Sequence, residues 1–161
     1  MSFIEKQTDS TKPMHWPGNM QADYLYPSGT AGDRFFKHIM NNDSFLASKC
    51  PKCYKVYCPP RIYCEDCFCK IPDDKWIEVP ASGTIQLYTI ATIDSYGEKL
   101  EEPKVIGMIR IDNTDSSMLG IIKIDNIDEE LRGIQVKAVF KSKGIREGTL
   151  KDILYFKKVR K

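Results

Sequence analysis

Four of the six cysteines form two pairs, Cys50-Pro51-Lys52-Cys53 and Cys64-Glu65-Asp66-Cys67, with ten residues between them. A Cys-x-x-Cys pair puts two thiolates on one tight turn, and two such turns can offer four sulfurs to one tetrahedral ion. Zinc suits four soft sulfur ligands and needs no redox partner. The competing chemistry is two disulfides, but cysteines three apart chelate a metal more readily than they bridge each other. Four protein ligands leave zinc no open position. The expectation is therefore one structural Zn2+ per chain, held by Cys50, Cys53, Cys64 and Cys67. Cys58 and Cys69 lie outside the pairs. Cys69 is an alternative fourth ligand in place of Cys67, though a Cys-x-x-Cys pair fits better; otherwise both read as small buried hydrophobes.

Other reactive groups are sparse. The two histidines, His15 and His38, read as surface or packing residues. No nucleophile elbow, phosphate loop or dinucleotide fingerprint is present, and the acidic residues are scattered. This argues against a stand-alone enzyme. The charge is near balance: 24 basic against 22 acidic residues, split as 10 and 9 through Lys75 and 14 and 13 after it. Neither half is a basic module that would bind chiefly to a phosphate backbone. No signal peptide and no apolar run near the roughly 20 residues of a membrane span is visible. The expected setting is the cytoplasm, without membrane attachment, where cysteines serve as metal ligands more often than as disulfides.

The elements that must carry these residues can be read from pattern. Residues 1–13 are polar and aperiodic, and Met14-His15-Trp16-Pro17 and Tyr24-Leu25-Tyr26 add aromatic mass, with a short helix expected across Asn19 to Leu25. Thr30-Ala31-Gly32-Asp33 has capping-box form, and Phe35/Ile39 and Phe36/Met40 repeat at four, which predicts an amphipathic helix over 31–41 ended by Asn41-Asn42. Phe45 to Lys49 should lead as a strand into the first cysteine pair, and Tyr54 to Tyr57 suits another before the Pro59-Pro60 turn. From Trp76 the pattern changes to short strands. These are Trp76–Val79, then Gly83–Ile93 with Ile85, Leu87, Ala91 and Ile93 on one face, a polar loop 94–103, Lys104–Asp112, a turn at Asn113-Thr114-Asp115-Ser116, and Ser117–Ile124. One helical turn at most over Asp128–Leu131 precedes Ile134–Phe140 and Ile153–Phe156. Five strands in this order, with the long one first, suggest an OB-type barrel. The fold class is thus mainly β, divided as 1–30 (tail and aromatic segment), 31–75 (helix and cysteine ribbon) and 76–161 (barrel).

The order of motifs over 31–157 resembles one family: Phe35-Phe36 opening the helix, Cys-x-x-Cys, Pro59-Pro60-Arg61, Cys-x-x-Cys, Trp76-Ile77-Glu78-Val79, Gly83-Thr84 and Gly133-x-x-Val136-x-x-x-Phe140. It looks like the rubredoxin-like zinc-ribbon plus OB-fold family, domain of unknown function 35. Tyr24-x-Tyr26, Gly29, Ala31-Gly32 and Phe35-Phe36 resemble its longer archaeal branch. The resemblance implies a scaffold beside a thiolase-family enzyme, and in the archaeal branch a hydroxymethylglutaryl-CoA synthase, sharing a channel for a CoA-bound intermediate. The sequence departs from the family at Tyr54, where glycine is usual, and at Cys58, where an aromatic is usual. Tyrosine fits a left-handed turn poorly.

Two functions remain to be weighed. Zinc ribbons beside OB barrels also occur in proteins that bind single-stranded nucleic acid, across strands two and three. Here those strands, 104–112 and 117–124, contain no aromatic stacking platform and little net charge; both faces are aliphatic, with Met108 and Met118. An acyl-CoA-associated, non-catalytic subunit needs an apolar groove and a few cations for phosphates. Arg61, Lys104, Arg110 and Lys123 are the candidates, Arg61 foremost because it sits in the proline turn. The basic end, Lys157-Lys158-Val159-Arg160-Lys161, reads as a solvated terminus.

Overall fold

The computed structural model describes residues 26–94, 96–124 and 129–159. The expectations for the tail, for Met14–Pro17 and for a helix at 19–25 lie outside those residues.

The helix α1 (Gly29–Asn41) begins two residues before the expected start. Thr30 is already helical, so it is not the cap, and Ser28, which precedes the helix, makes no side-chain cap bond. Asp33, expected to close the capping box, instead pairs with Lys37 one turn on, at 2.8 Å. The apolar stripe behaves as its spacing dictates at Phe35 and Ile39, which are buried. Asn42 ends the helix, its N–H donating to the His38 carbonyl.

Strand β1 (Ser44–Lys49) pairs antiparallel with β2 (Val56–Tyr57) on one side and β3 (Trp76–Pro80) on the other, giving the order β2-β1-β3. Segment 76–80 therefore bonds to the ribbon rather than to the barrel. Tyr54 is outside the strand expected there, for a reason given below.

The barrel closes as β4 (Ser82–Ile93), β5 (Lys99–Ile111), β6 (Ser117–Lys123), β8 (Ile153–Lys158) and β7 (Gln135–Phe140). Neighbours are antiparallel except β6 and β8, which run parallel. Five strands with one parallel closure are the expected OB-type arrangement. Three details differ from the pattern reading. The segment read as a polar loop over 94–103 is mostly strand, because β5 starts at Lys99; the turn is tied by the Asp94 amide donating to the Glu98 carbonyl. A register shift between Ile85 and Leu87 breaks the single apolar face of β4. Ile85 stays inside, but Leu87 and Ile93 face solvent and Tyr88 packs on the core. Glu129 is a bend and Glu130 and Leu131 are irregular rather than a helical turn, and Asp128 lies outside the described residues.

Glycines at 107 and 120 let the barrel coil tightly. A Cβ on Gly107 would collide with Ile122 Cδ1, and one on Gly120 with the Phe156 ring. The close approach is by the protein's own core side chains. That core is continuous across the parts: Phe45 of β1 stands 5.9 Å from Phe35 of α1, 5.8 Å from Phe140 of β7 and 6.4 Å from Phe156 of β8, between ring centroids. The aromatic stripe of the helix is thus core. Arg146 closes the same joint. Its guanidinium donates to the carbonyls of Lys141 (2.7 Å), Ile39 (2.9 Å) and Asn42 (2.9 Å) and to the Asp43 carboxylate, and lies 5.0 Å from the centre of the Phe140 ring. Three of these partners are at the end of the helix, where carbonyls lack partners of their own.

Candidate metal centre

The two cysteine pairs fold into the same turn. At the first, the Cys50 amide donates to the Lys55 carbonyl (2.8 Å) and the Tyr54 amide to the Cys50 carbonyl (3.1 Å). At the second, Cys64 donates to Cys69 (3.0 Å) and Phe68 to Cys64 (3.0 Å). The residue after each pair must turn left-handed, and it does: Tyr54 has φ 63° and Phe68 φ 53°. The tyrosine that departs from the family pattern does not prevent the turn. It also explains why no strand begins at residue 54. The equivalence of the turns places Cys69 opposite Lys55, a position with no counterpart sulfur in the first turn.

The four paired sulfurs, Cys50, Cys53, Cys64 and Cys67, all lie within 4.8 Å of one another, and Cys53 and Cys64 are 3.5 Å apart. A tetrahedral zinc with bonds of about 2.3 Å spaces its sulfurs by about 3.8 Å, so the set fits the ion. The surrounding amides favour thiolates. Burial opposes ionisation of Cys50, but the N–H groups of Cys53 and Lys52, each 3.4 Å from its sulfur, bring its pKa down to about 6. The Tyr57 hydroxyl, 3.2 Å from the Cys64 sulfur, holds that thiol low against the opposing effect of burial, helped by the Cys67 and Asp66 amides. Further ionisation meets like charge: hydrogen bonding to Cys53, burial and the neighbouring sulfurs push Cys67 up to about 12. A dication removes that repulsion. Besides the side chains that β1 and β3 give to the main core, the cysteine turns rest on a small cluster of Cys50, Tyr57, Cys64 and Ile71, with Trp76 against it, so a metal would supply much of their cohesion.

Cys58 is buried in the main core, and burial pushes its thiol up to about 12, so it is an inert hydrophobe. Cys69 is closer to the cluster than its sequence position suggests, with its sulfur 3.5 Å from that of Cys50.

The structure does not gather the four candidate cations. Arg61 is held in the ribbon: the Ser48 hydroxyl accepts its amide (2.8 Å) and donates to its carbonyl (3.0 Å), while its guanidinium meets the Glu65 carboxylate and lies 4.9 Å from the centre of the Tyr57 ring. Arg110 lies 3.9 Å from Asp115 and lines an open depression of about 470 Å³ that also holds Asp112. Two carboxylates make that depression a poor home for an anion. Lys104 and Lys123 stand toward the other end of β5 and β6, about 20 Å from Arg110 at the usual rise per residue. Val105 and Ile122 pair across the ladder and point inward, so both lysines, next to them, project from the outer wall.

The aliphatic face expected on strands 104–112 and 117–124 is extended by β4 into a wider surface that the barrel assembles. Leu87, Met108 and Leu119 are cross-strand partners in one row on the outer face of β4, β5 and β6, and Ile106 and Ile121 are partners in the next. Leu87, Met108, Leu119 and Ile121 are exposed, Leu119 to 68%. The aliphatic character of β5 and β6 was legible, but the addition of Leu87 depends on the shift in β4.

Residues 43–68 match the family model described as the ChsH2 rubredoxin-like zinc ribbon domain. The chain is similar to a crystal structure of a DUF35-family protein of unknown function from Sulfolobus solfataricus, at 26% identity and a TM-score of 0.58, over 81% of this chain and 84% of that one. It is similar in fold to the Ltp2-ChsH2(DUF35) aldolase, at 15% identity and a TM-score of 0.57, over 83% of this chain and 98% of that one. No curated protein matches it. These findings bear out the resemblance drawn from the cysteine pairs and the strand order. Among the described residues no helix is long and apolar enough to cross a membrane.

Proposed function

We propose that this chain is a non-catalytic accessory subunit that associates with a thiolase-family enzyme and helps hold or channel acyl-CoA. The observation that carries the reading is the exposed aliphatic face of β4, β5 and β6. Contiguous exposed apolar rows lose about 25 cal/mol for each Å² left in water, and a partner or an acyl-pantetheine arm recovers it. Stacked bases need rings, and β5 and β6 present none. The zinc that the four sulfurs fit would have a complete ligand set, so its role is to hold the ribbon turns in place.

An enzyme partner is supported by the Ltp2-ChsH2(DUF35) aldolase, whose name joins a protein of this fold to an enzyme. The thiolase class, a hydroxymethylglutaryl-CoA synthase as further neighbour, and a cytoplasmic setting rest on the sequence resemblance.

Affinity purification of the tagged chain from its native host tests the reading. An acyl-CoA enzyme should be recovered with the native sequence and lost with Leu119→Glu, while the variant's melting temperature stays unchanged. Recovery of RNA or DNA without any acyl-CoA enzyme would overturn it.

A further inference from the structure

The outer wall of the barrel over β6, β8 and β7 carries an arrangement that chain order conceals. Lys123 of β6 is the parallel-ladder partner of Lys157 of β8, and Lys157 is in turn the antiparallel partner of Lys137 of β7. Their neighbours Ile122, Phe156, Val136 and Ala138 are buried, so the three lysines point outward, and all are exposed. Strands lie about 4.8 Å apart, which puts three ammonium stems in one row about 10 Å long. Lys104 extends it onto β5, since Val105 beside it pairs with Ile122.

Like charges directly opposite each other in a sheet are destabilising. Among the described residues no carboxylate lies within ion-pair distance of any of the four. Among the described residues, Asp43 feels the charge of Lys137 but is bound to Arg146, Glu102 stands two residues before Lys104 on the same strand, and Glu129 is bound to Lys158 beside Lys157. A half-buried aromatic ring stands beside the row, two residues from Lys157 along β8: Lys123 Nζ is 5.1 Å from the centre of the Tyr155 ring.

We propose that Lys123, Lys157 and Lys137, with Lys104 at the edge, bind the clustered phosphates of a nucleotide-bearing ligand, with Tyr155 beside them as a surface for its base. The row is long enough for two or three phosphates and has one ring, which suits one nucleotide rather than a strand tracked over several. Lys104 and Lys123 also border the aliphatic rows, since Ile106 and Ile121 are two residues along the same outer face. Phosphates at the lysines thus leave an attached apolar arm running toward Met108 and Leu119. This inference rests on the acyl-CoA reading for the identity of the ligand and assigns the place where its phosphates bind.

The test is equilibrium binding to the isolated full chain, with coenzyme A, pyrophosphate and phosphate-free pantetheine as probes. Coenzyme A and pyrophosphate should bind, more weakly as salt rises, and Lys157→Gln should cut both affinities about tenfold, as expected for one charged contact. Pantetheine binding should be unaffected. The same substitution should raise the melting temperature by about 1–3 °C, because it removes like-charge opposition; a residue with a merely structural role would lower it. Three results overturn the proposal: no binding of coenzyme A or pyrophosphate at millimolar concentration, affinity unchanged in Lys157→Gln, or a short RNA oligonucleotide binding far more tightly than coenzyme A. Failure here with the enzyme still co-purifying removes the phosphate site alone. Binding here with no enzyme recovered removes the partner reading alone.

Discussion

Val56 and Asp115, 59 residues apart in the chain, are joined by two hydrogen bonds: the Val56 amide donates to the Asp115 carboxylate at 2.9 Å, and the Asp115 amide donates to the Val56 carbonyl at 2.8 Å. The first residue ends the first cysteine turn, and the second sits in the hairpin between β5 and β6. The Cys58 amide adds a bond to Ser116 Oγ at 3.2 Å. The hairpin thus covers the outer edge of β2, the edge away from β1, beside which no strand lies among the described residues.

Asp115→Ala removes one of the paired bonds and leaves the Val56 amide to water. It should cost about 1 kcal/mol of stability, and hydrogen exchange at residues 54–58 should quicken more than exchange within the barrel. Uniform quickening across both parts would show that the clamp does not act locally.

Elemental analysis should find one zinc per chain. Cys50→Ser and Cys64→Ser should each lower zinc content and loosen the ribbon. Cys58→Ser and Cys69→Ser should retain the metal, although the Cys69 sulfur lies 3.5 Å from that of Cys50. Metal loss in Cys69→Ser equal to that in Cys50→Ser would move Cys69 into the ligand set.

Tyr54 is 69% exposed and holds φ at 63°. A side chain in the left-handed region costs about 1 kcal/mol that glycine avoids. Tyr54→Gly should therefore raise the urea midpoint of the zinc-loaded protein, less whatever the contact of Lys49 with the ring contributes. A lower midpoint would show that the ring contact outweighs the backbone strain.

Arg146→Met keeps most of the side-chain volume but leaves the carbonyls of Ile39, Asn42 and Lys141 without their donor. The expected loss is on the order of 2–3 kcal/mol in chemical denaturation. Arg146→Lys should recover little of it, because one ammonium cannot span the fork.

Asp152 supplies an acid-sensitive element. Its buried carboxylate accepts the amides of Glu147 (3.1 Å), Gly148 (2.7 Å) and Thr149 (3.1 Å), with Lys141 Nζ 3.6 Å away. Burial pushes its pKa up, but the amides and Lys141 outweigh it and hold the group below its ordinary value. A folded pKa below the unfolded one stabilises the fold in full above the unfolded carboxylate range, about pH 4, and that contribution disappears as pH falls through the folded value. Urea midpoints should drop more steeply below about pH 4 for the native chain than for Asp152→Asn. Parallel curves would mean that the carboxylate is not ionised in the fold.

The sequence by itself determined the features that depend on short spacing. Two Cys-x-x-Cys pairs name a four-sulfur site because each turn closes within six residues, and alternating aliphatic residues name barrel strands because side chains alternate with period two. Phe35 and Ile39 named the buried side of α1 in the same way. The tertiary structure alone decided what depends on register and on closure. It moved Leu87 outward through a shift in β4, paired residues 76–80 with β1, took Arg61 and Arg110 into local ion pairs, and set Lys123, Lys157 and Lys137 side by side. Those relations join residues tens of positions apart, and which partners meet is fixed by the packing of the whole barrel, where a slip of one residue would turn every side chain to the opposite face.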